Sequence, residues 1–331
     1  MSQDTKKRFN EKLMTSETTF SKIPEDVMAQ ILKKCGFLEI HSLRKVSRNF
    51  RNFIDRAKPE ANVSTLAIMK TSEKFQMILE FPNSEKSEKT IKYRLEDEKS
   101  LELFSKELKT ILKFQKSILP IFCLDLEDLE KTKIPEFFEI FSKILNSRGT
   151  KNSLKIKEIY CNQPEILEIF QFLDLNFLKS LKINPFDRVS KNAEILEIDS
   201  KILENLEDLE IGKFIVNRKI QEFLGIRDVD VTVIQITVED LMEFVNKLVE
   251  LENLGFLSFH YQNFVGDQQI LNRLGPVNHG NLNLTGEFAR WMVQVPNSTK
   301  LLEISHYSQR KKIDLRFVTI ESVLERMRVM N

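Results

Sequence analysis

The residues of this chain whose chemistry goes beyond packing are four histidines, three cysteines and many carboxylates. His41, His260, His279 and His306 stand apart from one another and from any cysteine, so no zinc constellation and no HExxH pattern is present. No Gly-x-Ser-x-Gly elbow exists to expose a nucleophilic serine. Nine glycines, with neither GxxxxGK[ST] nor GxGxxG among them, leave little room for a loop that cradles phosphates. Cys35, Cys123 and Cys161 are widely separated and form no CxxC, which argues for reduced thiols and against a disulfide framework. The carboxylates alternate with lysines, as in LEDLEKTK, and read as solvated faces. Trp291 reads as core. His260 and Tyr261 end a strand and read as packing residues, although they could line a binding face. Met28 and Cys35 read as residues of a helix face. A non-catalytic chain without cofactor or metal is the expectation.

The elements that position these residues are those of a water-soluble protein. The chain has 331 residues, 41% hydrophobic and 30% charged, enough to bury a sizeable core. A formal net charge of +1 gives the whole chain no electrostatic hold on nucleic acid. Gly and Pro are scarce, and most of the 25 Phe are expected in the core. The first twenty residues carry Lys6, Lys7, Arg8 and Lys12 without an apolar run, so no signal peptide is expected. No stretch approaches the roughly 18 apolar residues of a membrane span. A cytoplasmic or nuclear location, without nucleic acid or membrane as partner, is expected.

Residues 1–20 read as a flexible tail. A helix begins at Pro24, followed by acidic Glu25 and Asp26, which suit the positive end of its dipole, and repeats apolar positions at Val27, Met28, Ile31, Leu32 and Cys35 up to Gly36. A second helical pattern runs through Ile40, Leu43, Val46, Phe50, Phe53 and Ile54, closed by Pro59. VSTLAIM, FQMILEF and TIKYRL predict an antiparallel meander over 63–95, and Leu101 to Leu119 a helix. From Ile121, IFCLDL, LKIKEIYC, LKSLKIN, LEDLEIG, DVTVIQI and GFLSFHY predict strands. Helices are predicted between them at Pro135 to Asn146, Pro164 to Leu173 and Val238 to Leu251. This spacing overlaps that of leucine-rich repeats, although their Asn-containing signature is absent. GDQQILNRLG predicts a short helix before a loop, and EFARWMVQ, KLLEISH and KIDLRFVTI three closing strands that cap the stack. The expected fold is mixed α+β and α/β: a short helical segment, then an irregular leucine-rich-repeat-like β/α curved stack with a terminal β layer. A single open α/β sheet is the competing geometry.

Residues 21–58 carry more apolar side chains than fewer than forty residues can bury among themselves. The surplus must pack on the rest of the chain or on a partner, and periodicity does not separate the two. IPEDVMAQILKKCGFLEIHSLRKVSRNFRNFID resembles an F-box. Ile23-Pro24 match the family's opening, Val27, Ile31 and Leu32 its first helix, and Leu43, Arg44, Val46, Ser47, Arg48 and Phe50 its Leu-Arg-x-Val-Ser-Arg run. Ile23 replaces the commoner Leu, and Phe50 stands where Trp is frequent; both keep apolar bulk. VQVPNSTKLLEI followed by KIDLRFVTIESV is similar to the end of an FTH domain, which nematode proteins of the F-box A type carry after their F-box.

The resemblance implies a substrate receptor of a Skp-cullin-F-box ubiquitin ligase. The F-box packs on a Skp-type adaptor and through it reaches a cullin, while the C-terminal domain holds an unknown protein target. The receptor supplies proximity rather than bond chemistry. It places the adaptor face on Pro24, Val27, Ile31, Leu32, Leu43, Val46 and Phe50, some of which belong to the internal core. The implied division is a tail at 1–20, the F-box at 21–58, a meander and helix at 59–119, and an FTH-like domain at 120–331. Arg44, Lys45, Arg48, Arg51, Arg56 and Lys58 face Asp55 alone, which suits either an acidic adaptor surface or a plain exposed helix face. The alternative is a repeat-like interaction scaffold without a ligase role, capped by residues 21–58.

Overall fold

The computed structural model describes residues 23–71, 74–82, 88–94, 98–149, 153–184, 193–251, 255–266, 273–274 and 288–323. They fall into two compact units. One runs to Asn62 and includes Thr110–Lys116; the other comprises Val63–Lys109 and the chain from Ser117 onward. The predicted helix at 266–275 lies almost wholly outside the described residues.

The first unit holds three ten-residue helices, α1 (Glu25–Lys34), α2 (Phe37–Val46) and α3 (Arg48–Ala57). Pro24 caps α1, its carbonyl accepting from the Met28 N–H at 3.1 Å. The helical pattern predicted through 40–54 is broken into two helices. Ser47 is extended (φ −153°, ψ 161°), and its hydroxyl accepts from the Phe50 N–H, making it the N-cap of α3. A serine caps a new helix well because its side chain satisfies an orphan donor of the first turn. An apolar spacing of three and four continues across such a break, which hides it from periodicity. The unit is completed by the end of α4 (Glu98–Phe114): the Ala61 N–H donates to the Phe114 carbonyl at 2.9 Å, and the Lys116 N–H donates to Glu60.

The second unit is built on a 14-stranded sheet. β1 (Thr65–Lys70), β2 (Lys74–Glu80) and β3 (Glu88–Arg94) form the predicted antiparallel meander. β1 then pairs in parallel with β4 (Leu119–Asp125), so the meander is one end of the main sheet. β5 (Ile156–Cys161), β6 (Ser180–Ile183), two-residue β7 (Ile195–Leu196), β8 (Asp208–Ile211), two-residue β9 (Ile215–Val216), β10 (Asp228–Thr237) and β11 (Phe256–Val265) follow. Each main strand adds in parallel beside its predecessor, in chain order and with no reversal; β7 and β9 pair with each other off this path. α5 (Ile134–Asn146), a 3-10 helix at Pro164–Phe172, α6 (Ser200–Leu203) and α7 (Val238–Leu248) lie in the connections. The Pro164 segment was expected to be an ordinary helix and is wound more tightly. β12 (Phe288–Gln294), β13 (Lys300–Tyr307) and β14 (Lys312–Thr319) are antiparallel, and β14 pairs with β11. These closing strands therefore lengthen the sheet edgewise instead of forming a separate layer.

Strand alternation sorts the sheet into two faces. In register, Leu66, Phe122, Ile159, Leu181, Leu209, Val229, Leu257, Leu315, Ile304 and Trp291 make a buried apolar row crossing ten strands. Phe122 stacks on Phe141 of α5, and Phe259 meets Phe244 of α7 edge-on. Tyr261 is buried on the same side, its hydroxyl 2.7 Å from His306 Nε2.

The strand ends carry a feature that the sequence was expected to lack. Asn162, just past β5, accepts from the Leu126 N–H through Oδ1 and donates to Asp125 through Nδ2. Asn184, just past β6 at φ 47°, donates from Nδ2 to the Asn162 carbonyl. Two asparagines thus tie three successive turns together, as an asparagine ladder does. The sequence hides it because each rung is a single Asn in a unit of irregular length.

Candidate functional site

Helix α1 buries Met28 and Leu32 and turns Val27 and Ile31 outward. That split follows from 3.6-residue spacing: 28 and 32 share one face, while 27 and 31 share the next. Leu32 is 3% exposed and Phe50 6%, so both belong to the interior. Val27 is 41% exposed, Ile31 39% and Val46 68%. Pro24 is exposed and Leu43 half-buried. Of the seven residues expected to face an adaptor, four are therefore open to solvent, one is partly open, and two lie beneath the surface.

Charge fixes the helices against one another. Arg44 donates to Asp55 through two parallel bonds, Nε to Oδ1 at 2.9 Å and Nη2 to Oδ2 at 3.1 Å, clipping α2 to α3. Lys113 lies 3.9 Å from the same carboxylate. Bidentate, half-buried pairing of this kind is geometrically specific. The Arg56–Glu25 pair at 2.8 Å joins α3 to α1 but is well exposed, and such pairs contribute about 0–1 kcal/mol. Arg48 and Arg51 also lie on the surface of α3. Sequence reasoning named Arg44 as part of a basic stripe; the structure engages it internally, leaving the rest of the stripe outside.

In the second unit, His260 is half-exposed with Nε2 3.4 Å from Asp230, and Trp291 is core. The thiols are free; burial pushes Cys161 up strongly, and burial followed by Asp125 raises Cys123. Among the described residues no group of three His, Cys, Asp or Glu is arranged to hold a metal ion, and no helix is long and apolar enough to cross a membrane. What the helical unit offers is non-covalent: exposed aliphatic side chains on a braced frame.

Residues 20–61 match the family model of the F-box domain, so the chain carries an F-box. Residues 135–274 match that of the FTH domain, and the particular architecture is an F-box followed by an FTH domain. The matched FTH segment runs from the start of α5 past β11. The closing stretch on which the sequence resemblance was drawn lies beyond it. No curated protein and no solved structure matches the chain at a significant level. An F-box implies a role in binding a Skp-type adaptor within a cullin-based ubiquitin ligase, and F-box proteins are in general substrate receptors rather than catalysts.

Proposed function

We propose that this chain is the substrate receptor of a Skp-cullin-F-box ubiquitin ligase, with the FTH-containing unit holding a protein target. The observation that carries the reading is the exposure of Val46, Val27 and Ile31 on short helices whose remaining apolar residues are largely buried. Aliphatic side chains left in water on a rigid frame gain about 25 cal/mol per Å² when a partner covers them. The adaptor face then consists of Pro24, Val27, Ile31, Leu43 and Val46, with Leu32 and Phe50 setting the helices from beneath. The exposed arginines of α3 speed encounter with an acidic adaptor surface. This work belongs to the cytoplasm or nucleus.

The target-binding reading of the second unit rests on its topology. Parallel strands are added in chain order, and crossovers of the usual right hand between them fall on one side of the sheet, the side where α5 and α7 meet Phe122 and Phe259. The opposite side is then left for a partner, as in a leucine-rich-repeat-like curved stack, and the Asn162 and Asn184 rungs support that geometry. In the division that follows, residues 21–58 dock the adaptor, 59–119 connect, and 120–331 bind the target.

Capture of the full chain by an immobilised Skp-type adaptor tests the proposal. Wild type is expected to bind at micromolar concentration or below. Val46→Asp and Ile31→Asp are expected to abolish capture, because each buries an unpaired charge at the interface. Absence of capture with the fold intact would sink the ligase reading and leave the interaction scaffold. Wild-type capture by Val46→Asp would move the interface elsewhere.

A further inference from the structure

The face of the sheet opposite the apolar row carries charge in register. One row reads Glu158, Ser180, Asp208 and Asp228 across β5, β6, β8 and β10. Two residues further along the same strands a second row reads Tyr160, Lys182, Glu210, Asp230, then Ser258 of β11 and Asp314 of β14. Directly paired residues share a face, so these rows form one patch.

Glu158, Asp208, Glu210, Asp228 and Asp230 outnumber the cations inside the patch. Lys182 Nζ reaches Asp208 at 3.0 Å and Glu210 at 3.3 Å, and His260 lies 3.4 Å from Asp230. From the rim, Lys157 reaches Glu158 at 3.3 Å, Arg227 contacts Asp228 at 2.7 Å, and Lys312 pairs with Asp314 at 3.1 Å. Glu210 is held above the usual carboxylate range by burial, against the pull of Lys182 and with the help of Asp230 and Asp208. Glu158, Asp208, Glu210, Asp228, Asp230 and Asp314 thus share Lys157, Lys182, Arg227 and Lys312, while Arg290 and Arg316 further along the rows are held by Glu303, so the patch keeps a modest excess of negative charge that a bound cation relieves.

Two further observations point to a ligand. Ser258 is fully buried on this face, between Asp230 and Asp314 in register, and its hydroxyl has no hydrogen-bond partner. An unmet buried polar group is costly, and a ligand's polar group, or a water it anchors, removes that cost. Beside it Phe256, the first residue of β11, is 41% exposed with Lys312 Nζ 5.7 Å from its ring centroid, and Tyr160 stands at the other end of the patch. Carboxylates interleaved with aromatic rings suit guanidinium and ammonium groups, which pair with the first and lie over the second. Lys182 already does both, with its Nζ 5.9 Å from the Tyr160 ring centroid.

We infer that this patch binds a Lys- and Arg-rich segment of a partner protein. The inference rests on the reading of the second unit as the target-binding part and is independent of adaptor docking. Phosphate-bearing ligands are repelled by the same charge.

The test titrates the full chain against fluorescein-labelled peptides of alternating Arg and Gly, or of alternating Glu and Gly, at low salt. Anisotropy is expected to show saturable binding of the Arg peptide alone, weakened by added salt. Asp230→Asn with Glu210→Gln is expected to weaken it at least about tenfold, while Glu243→Gln on α7 leaves it unchanged. Folding of each variant is checked by circular dichroism; if the double variant does not fold, Asp230→Asn alone, at a half-exposed side chain, carries the comparison. The inference is overturned if folded wild type does not bind the Arg peptide, if the charge-neutralised variant binds as tightly, or if the Glu peptide binds equally. Adaptor capture on the same preparations separates the two readings. Capture kept with no peptide binding overturns this inference alone, and peptide binding with no capture overturns the adaptor reading alone.

Discussion

Val46 ends α2 in water, and one residue later the chain is extended at Ser47. Leu32 lies at the other extreme, inside the helical unit. Truncating each should have opposite consequences. Leu32→Ala removes buried methyls and leaves a cavity, a loss of about 2–5 kcal/mol; its urea midpoint should fall clearly below wild type. Val46→Ala trims a side chain that lies mostly in solvent in the free chain, so its midpoint should stay within about 0.5 kcal/mol of wild type. Adaptor affinity should fall for Val46→Ala without any change in stability. Equal destabilisation by both variants would show that Val46 is packed in solution. This sorting was not legible in the sequence. Periodicity marks Val27, Met28, Ile31 and Leu32 alike as apolar, and two adjacent pairs span more than the inward stripe of a helix can hold. The surplus was visible, but which members form it depends on the angle at which α1 meets its neighbours. Arg44 makes the same point in charge: sequence showed a cation, whereas its partnership with Asp55, eleven residues on, needs the turn at Ser47.

Among the elements, strands were the more legible because their pattern repeats within a few residues. The meander, the six alternating strands and the three closing strands all appear close to where they were expected. The two-residue strands β7 and β9 were missed, since a pair of residues has no period. Ser47 and the asparagine rungs were missed for a related reason: each is one side chain completing a backbone bond with another element. The rung at Asn184 can be tested directly. Its Nδ2 holds the Asn162 carbonyl, the residue is 7% exposed, and its positive φ suits Asn better than most residues. Asn184→Ala breaks the bond and strains the backbone, so a loss of about 1–3 kcal/mol is expected in urea unfolding. Adaptor capture by the folded variant should be unaffected, because the F-box helices do not contain the rung. An unchanged midpoint would mean that successive turns are held without the ladder.

For the whole molecule the decisive property is simultaneous occupancy. A receptor accelerates transfer by raising the effective concentration of its target near the charged enzyme, and this requires one chain to hold adaptor and target together. The two proposed surfaces share no residue: aliphatic side chains at 24–46, and a charged patch drawn from residues between 158 and 314. Their losses should therefore be independent and their gains joint. Beads bearing the adaptor, loaded with wild-type chain, should retain the labelled Arg peptide. Val46→Asp should lose chain and peptide together, whereas Asp230→Asn with Glu210→Gln should keep the chain and lose the peptide. Combining the substitutions should add nothing to the first loss, since a chain that is not captured cannot display its patch. Release of the peptide when adaptor binds would make the two events mutually exclusive. The receptor reading would then fail even though each surface bound its partner alone, because proximity needs both at once.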